Sequence, residues 1–214
     1  MNTPVFDPLD HLVYGTPDLA GTVAELAERL GVDIPMGGRH PGWGTRNAIL
    51  SLGGNRYLEI VGVDEAQPEA AGRRVFGVDA LSHPRLLTWA VGTADLPARK
   101  AALLDEGFDL GEVLPGERVR PDGSRLSWSL TDPYADRLGG IVPFLISWDG
   151  SSHPGATPSG CTLSRFRLHH PLGVGLEAAL GRAGIHAQVD APALGSSPGL
   201  TAVLKGPAGE VELS

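Results

Sequence analysis

Histidine is a common metal ligand, and one histidine of this sequence, His11, lies in a segment that the chain repeats. The first copy reads His11-Leu-Val-Tyr-Gly-Thr-Pro-Asp-Leu19, and the second, 77 positions later, reads Thr88-Trp-Ala-Val-Gly-Thr-Ala-Asp-Leu96. Gly, Thr, Asp and Leu recur at the same offsets, which indicates a duplicated strand–turn–helix unit. Because Thr88 stands where the first copy has the histidine, any metal chemistry is expected in the first copy only.

The other histidine pair and the single cysteine are not expected to carry chemistry. His169 and His170 are adjacent, and adjacent strand residues face opposite sides, so we expect a strand-end turn there and not a shared ion. Cys161 lacks a cationic environment in the neighbouring sequence, which predicts an inert thiol. The histidines without recognisable partners are expected at the surface: His83, His153 and His186.

Three residues follow a Gly-rich turn and are candidates for contacting a substrate: Trp43, Arg46 and Asn47. A guanidinium can hold a carboxylate through two parallel hydrogen bonds, although a surface charge beside a strand would give the same pattern. Gly37-Gly38 and Gly53-Gly54 are not phosphate loops, because neither is followed by Lys-Ser/Thr or by the dinucleotide spacing.

Two tryptophans, Trp89 and Trp128, lie in apolar stretches that are predicted to be strands. Core positions are the default for such residues. If their faces instead turn toward a cleft, they would give it an aromatic wall.

Composition limits the classes of function. The 214 residues suffice for one large domain or two small ones, and a single cysteine excludes an intramolecular disulfide. The net charge is −8 and there is no basic run, so nucleic acid is not an expected partner. No apolar run approaches the ~20 residues of a membrane span, and the first residues lack a signal-peptide pattern. We therefore expect a cytoplasmic protein that does not bind membranes.

The first unit, residues 8–64, is predicted to be β-α-β-β. Asp18 takes the N-cap position of the helix and Gly31 closes it. Strands are expected at 12–14, 48–52 and 57–61, and the Gly/Pro-rich stretch 37–44 is either another strand or a loop.

Two further units repeat this pattern. Residues 85–149 are expected to form strands at 87–91, 125–130 and 141–146 and a helix at 98–106. The shorter unit 162–214 is expected to form strands at 163–168, 200–204 and 211–213 and a helix at 176–183. Gly31, Gly107 and Gly184 follow the helices at spacings of 76 and 77, the length of a small βαβββ module. The predicted fold class is α+β, built from such modules.

Four segments resemble the glyoxalase-like domain of the vicinal-oxygen-chelate superfamily: 10–19, Gly44-Thr-Arg-Asn47, 57–61 and 143–148. The turn 206–209 and the residues after it resemble the last hairpin of such modules, so the resemblance covers most of the chain. It implies one unit, 1–214, in which curved mixed sheets of paired βαβββ modules enclose a cleft. A homodimer is an expectation from the family alone.

The resemblance implies that His11, on the first strand, and Glu59, on the last strand of the same module, hold a divalent ion such as Zn, Ni, Mn or Fe. The alternative is that His11 bonds a turn and Glu59 faces outward on an alternating strand. In the second module Thr88 and Phe144 occupy the corresponding positions, so a four-ligand site is not expected. The remaining candidate donors are His40, Glu212, substrate and water.

Two hypotheses about function follow. The first is a metal-dependent lyase, isomerase or ring-cleaving dioxygenase that acts on a small oxygen-rich metabolite, with Glu59 as ligand or as catalytic base. The second is a metal-free protein that sequesters a small aromatic ligand between Trp89, Trp128 and Phe144, as resistance proteins of the superfamily do. Retention of His11 and Glu59 favours the first hypothesis, and the missing second-module ligands favour the second.

Overall fold

The computed structural model describes residues 8–70, 74–119, 123–192 and 197–214. The first unit contains β1 (Leu9–Gly15), α1 (Leu19–Leu30), β2 (Met36–His40), β3 (Thr45–Gly53) and β4 (Arg56–Val63). Its first and last strands pair in parallel, with Val13 opposite Glu59. Part of the stretch 37–44 is therefore a strand, β2, which pairs with β3.

The second unit repeats this arrangement with β5 (Arg85–Gly92), α2 (Leu96–Asp105), β6 (Val113–Val119), β7 (Arg125–Thr131) and β8 (Phe144–Ser147). Its first and last strands also pair in parallel, with Ala90 opposite Phe144. The last strand begins later than the predicted 141–146. Gly139 and Gly140 have φ values of 69° and 94°, and this left-handed turn delays the extended backbone until Phe144.

The eight strands of these two units form one closed barrel in the order β1-β4-β3-β2-β6-β7-β8-β5. The units join at two seams. One is the antiparallel pair β1–β5, and the other is the pair β2–β6, where Arg39 lies opposite Val119. The outward side chains of the barrel pack against the helices and the third unit. This outer core includes Leu12, Leu50, Leu58, Trp89, Leu145 and Leu204.

The third unit contains β9 (Thr162–His169), α3 (Gly173–Arg182), β10 (Val189–Asp190), β11 (Gly199–Lys205) and β12 (Glu210–Leu213). These strands form a separate sheet in the order β10-β9-β11-β12, so β12 does not lie beside β9 as the last strands of the other units lie beside their first strands. The sheet packs on the outside of the barrel, where Phe166 meets Trp89 with ring centroids 5.4 Å apart.

The sequence repeat marks the starts of the first two helices. Asp18 accepts a hydrogen bond from the Gly21 amide at 3.0 Å, and Asp95 accepts one from the Ala98 amide at the same distance. Both carboxylates satisfy amides that have no partner inside the helix. No helix in the described ranges is long and apolar enough to cross a membrane.

Candidate functional site

Residues inside the barrel line a cavity of about 40 Å³, which is room for roughly two or three water molecules. Its wall is divided by chemistry. The aromatic and apolar part includes Trp43, Leu126, Trp128, Phe144, Ile146 and Trp148. The polar part consists of His11, His40, Asn47, Tyr57, Glu59 and Arg118.

Glu59 lies at the centre of the polar part. Glu59 is 8% exposed, and its Oε1 accepts a hydrogen bond from Asn47 Nδ2 at 2.6 Å. Its Oε2 lies 3.9 Å from His11 Nε2, and its Oε1 lies 3.6 Å from His40 Nε2. Two imidazoles therefore face one buried carboxylate, and Asn47 fixes the oxygen on the His40 side.

Asp10 orients His11. The Asp10 carboxylate lies 2.7 Å from His11 Nδ1, so we assign the imidazole proton to Nδ1 and the free lone pair to Nε2, toward the cavity. Burial by itself would raise the pKa of Asp10, but hydrogen bonds from His11 and His153 outweigh that effect and hold the pKa well below its usual range. The group that orients His11 is therefore a carboxylate at neutral pH.

His40 is held in a similar way by a neutral partner. Its Nδ1 lies 2.8 Å from Thr45 Oγ1. Burial, aided by the positive charge of Arg118, lowers the pKa of His40 against the opposing effect of Glu59. We therefore describe His40 as a neutral imidazole whose Nε2 faces Glu59 and Asn47.

The segment after β8 closes one end of the barrel. Asp10 Oδ2 accepts hydrogen bonds from Trp148 Nε1 at 2.9 Å and from His153 Nε2 at 3.1 Å. Ser51 Oγ also donates to the Gly155 carbonyl at 2.9 Å. The expectation of a surface His153 is therefore wrong, because the buried Asp10 carboxylate binds its imidazole. The surface expectation holds for His83 and His186, which are exposed.

Arg118 is a site residue that the sequence analysis missed. It lies on β6, is 5% exposed, and its Nη1 donates to Asn47 Oδ1 at 3.2 Å. The signal that could have revealed it is the pair Gly37-Gly38. A Cβ at Gly37 would lie within 3 Å of Arg118 Nη1, and one at Gly38 would lie within 3 Å of Arg118 Cγ. The two glycines therefore make room for the arginine across β2.

Gly38→Ala is expected to destabilise the protein by about 1–3 kcal/mol, the usual effect of forcing a methyl group into a closely packed region. The added Cβ would meet the Val119 carbonyl as well as the Arg118 side chain. Urea unfolding measures the change. The matched control is Gly175→Ala in α3, where nothing lies within 4 Å of the new Cβ and alanine favours the helix. Equal effects of the two substitutions would contradict this account of Gly38.

The structure brings most of the sequence candidates to the cavity and places three elsewhere. Trp89 points out of the barrel, and its Nε1 donates to the Ile141 carbonyl at 2.8 Å. Arg46 precedes Asn47 on β3. Successive strand side chains point to opposite faces, and Asn47 points into the barrel, so Arg46 points out of it. Glu212 lies in the separate sheet and pairs with Arg165 at 3.0 Å. The cavity-lining candidates are His11, His40, Trp43, Asn47, Glu59, Trp128 and Phe144.

The strand registers explain why the cavity is polar on one side. Val13 and Ala90 are equivalent in the repeat, and their partners are Glu59 and Phe144. Phe144 therefore stands at the second-unit position that corresponds to Glu59. Its ring meets His11 edge-on with centroids 5.4 Å apart.

The side chains of His11, His40 and Glu59 are donors of the type that binds a divalent ion. The Nδ1 atoms of His11 and His40 are hydrogen-bonded to Asp10 and Thr45. Their Nε2 atoms face the Glu59 carboxylate, as the free nitrogen of a metal-binding histidine faces its ion. Among the described residues, however, no group of three His, Cys, Asp or Glu side chains is arranged around one ion position. The Asn47 amide nitrogen lies between Glu59 Oε1 and His40 Nε2, at 2.6 and 3.3 Å.

Paired βαβββ units with a cavity between their sheets are the architecture of vicinal-oxygen-chelate proteins, a superfamily that typically uses a divalent metal. The family profile described as "Glyoxalase-like domain" matches residues 9–183. The chain therefore belongs to the glyoxalase-like domain family, which confirms the resemblance and the predicted fold class.

Solved structures with this fold include a hypothetical protein from Staphylococcus aureus, 15% identical, with a TM-score of 0.59; the match covers 95% of this chain and 83% of that one. Methylmalonyl-CoA epimerase from Mycobacterium tuberculosis is 18% identical with a TM-score of 0.45, over 69% and 91% of the two chains. The Streptomyces coelicolor epimerase in complex with 2-nitronate-propionyl-CoA is 22% identical with a TM-score of 0.45, over 68% and 100%. No curated protein matches the sequence significantly.

Proposed function

We propose that the protein is a glyoxalase-like enzyme of the isomerase or lyase kind, in which Glu59 moves a proton at a carbon beside a carbonyl of a small oxygen-rich substrate. The observation that carries the proposal is the position of Glu59. Its carboxylate lies in a small, largely apolar cavity and faces two imidazole Nε2 atoms at 3.6 and 3.9 Å. A carboxylate that is shielded from water and faces a cavity can act as a general base.

The two oxygens of Glu59 have different tasks in this proposal. Oε1 is held by the Asn47 amide at 2.6 Å, which fixes the orientation of the carboxylate. Oε2 is the oxygen that takes the proton in this proposal, since it lies 3.9 Å from His11 Nε2, beyond hydrogen-bond distance, and is not engaged by that imidazole. Tyr57 stacks on His11 with centroids 4.4 Å apart and keeps that imidazole in place.

The residues that would hold a divalent ion are His11, His40 and Glu59, and such an ion would replace the contact of the Asn47 amide with Glu59 Oε1, so the ion and that contact are alternatives. When bound, such an ion polarises a carbonyl oxygen of the substrate. The identity of the ion, among Zn, Ni, Mn and Fe, is not specified by imidazole and carboxylate donors alone.

Proton exchange with solvent tests the proposal without knowledge of the product. The protein is incubated in D₂O with small 2-oxo acids, hydroxyketones and their esters, and the signal of the hydrogens beside the carbonyl is followed by proton NMR. We expect protein-dependent loss of that signal in at least one compound that binds. Binding without exchange in every compound would contradict the proposed proton transfer.

Metal content gives a separate prediction. Protein purified without a metal-affinity tag, then supplied with Zn, Ni, Mn or Fe(II), is expected to bind about one ion per chain and to gain thermal stability by mass action. His11→Ala and Glu59→Ala should each abolish both effects, while His83→Ala, at an exposed position, should not. A wild-type protein that binds none of these ions and gains no stability would remove the metal from the proposal.

A second candidate function is metal-free capture of a small aromatic ligand. The aromatic wall favours it, because Trp128 lies edge-on to Trp43 with centroids 6.3 Å apart and 5.7 Å from Trp148. The Asn47 amide between the candidate donors favours it as well. Tight binding of an aromatic compound, with no exchange and no bound ion, would select this candidate.

A further inference from the structure

A second and larger space adjoins the cavity. It is a groove of about 720 Å³ between strands β2 and β3 and the segment 152–159. Arg118 and Pro154 line both the groove and the barrel cavity. The Arg118 side chain therefore forms part of the wall of both spaces.

Arg118 and Glu59 are separated by a single side-chain amide. Asn47 accepts from Arg118 Nη1 through Oδ1 at 3.2 Å and donates to Glu59 Oε1 through Nδ2 at 2.6 Å. Among the residues that the structure describes, Arg118 is the guanidinium and Glu59 the carboxylate that line the cavity. One amide group therefore bridges the Arg118 guanidinium and the Glu59 carboxylate by hydrogen bonds. Arg118 also lines the groove.

The sizes of the two spaces restrict what can occupy them. The cavity of about 40 Å³ admits a head group of a few atoms, whereas the groove of about 720 Å³ accommodates a longer chain. The groove wall is mixed. Apolar side chains line part of it, namely Pro35, Met36, Ile49, Pro154 and Ala156, and hydroxyl groups line another part, namely Ser51, Ser152, Thr157 and Ser159. In the described part of the chain, the other charged or titratable groups along the groove are Asp33 and His153. Asp33 is exposed, so solvent screens its charge.

We propose that the substrate is a small carboxylic acid whose carboxylate binds Arg118, whose reacting C–H faces Glu59, and whose apolar tail lies in the groove. This inference rests on the proposed function of Glu59. A guanidinium recognises a carboxylate through two parallel charge-assisted hydrogen bonds. In a site from which water is excluded, such a contact discriminates strongly between a carboxylate and an uncharged ester.

Ligand binding tests the inference, with 2-oxohexanoate and its methyl ester as probes and isothermal calorimetry as the measurement. The wild-type protein should bind the acid at least about tenfold more tightly than the ester, and it should bind pyruvate, which lacks the tail, more weakly than 2-oxohexanoate. Arg118→Gln should abolish the preference for the acid, and Arg118→Lys should retain part of it. The matched control is Arg125→Gln, because Arg125 is exposed on β7 and pairs with Glu117 at 2.7 Å.

Equal binding of acid and ester, binding of neither, or an unchanged preference in Arg118→Gln would overturn the inference. The comparison of acid and ester in the wild-type protein needs no variant. It therefore tests the preference for a carboxylate even if the arginine variants fail to fold. Failure of the proposed function looks different. Acid preference without proton exchange contradicts only the role of Glu59, whereas equally fast exchange of acid and ester contradicts only the role of Arg118.

Discussion

Glu59→Gln is expected to slow protein-dependent proton exchange by about 10²- to 10⁴-fold, the range that a positioned general base contributes. Glutamine has nearly the same size and still offers an oxygen to Asn47, which now donates to Glu59 Oε1 at 2.6 Å. The variant should therefore fold normally and keep its preference for carboxylates. What it lacks is an oxygen that can take a proton, so the loss should appear in kcat and not in binding.

The measurement is the exchange rate in D₂O at saturating ligand, with urea unfolding as a check on the fold. Glu210→Gln is the matched control, since Glu210 is exposed on β12 and pairs loosely with Lys205 at 3.7 Å. Exchange at the wild-type rate in Glu59→Gln would show that another group moves the proton, and His11 or His40 would then be the next candidates.

Asp10→Ala is expected to lower the free energy of unfolding by about 3 kcal/mol or more, the largest stability effect that we predict. The Asp10 carboxylate is buried and accepts from His11, Trp148 and His153 at 2.7, 2.9 and 3.1 Å. Its removal leaves these donors without their acceptor in a region with little access to water, and each unsatisfied buried group is costly.

Urea unfolding of Asp10→Ala and Asp10→Asn measures this effect. The asparagine variant keeps an oxygen acceptor, so it should lose less stability than the alanine variant. Asp105→Ala, at an exposed position at the end of α2, serves as the control and should change stability little. Because Trp148 bonds Asp10, its fluorescence should also shift in both Asp10 variants. Wild-type stability in Asp10→Ala would contradict the structural role of the carboxylate.

The parts of the fold that depend on local chemistry could be predicted from the sequence. Asp18 and Asp95 cap helices because a carboxylate next to a helix start bonds amides only two or three residues away. Gly31 ends α1 with φ of 69°, a conformation that glycine adopts without strain. The repeat of the cap residues and helix-ending glycines predicted the modules. The segments 10–19, 44–47, 57–61 and 143–148 predicted the family.

Side-chain direction could not be predicted where it depends on pairing between distant strands. Trp89 and Trp128 are both strand residues, yet Trp89 packs outside the barrel and Trp128 inside it. Strand β6 was not predicted, and it contains Pro115-Gly116, two residue types that are uncommon inside strands. In the barrel Gly116 lies directly beneath the Trp128 indole, where a Cβ would collide with the ring, so the glycine serves packing across strands.

The sequence by itself determined the duplication, the helix ends, the glyoxalase-like family and the pairing of His11 with Glu59 as a hypothesis. Only the tertiary structure decided which groups surround that pair. Barrel closure at β2–β6 brings Arg118 to Asn47, 71 positions away in the chain, and the segment after β8 brings His153 to Asp10 across 143 positions. Such contacts depend on how distant strands pack against each other, and no local pattern of residues encodes them.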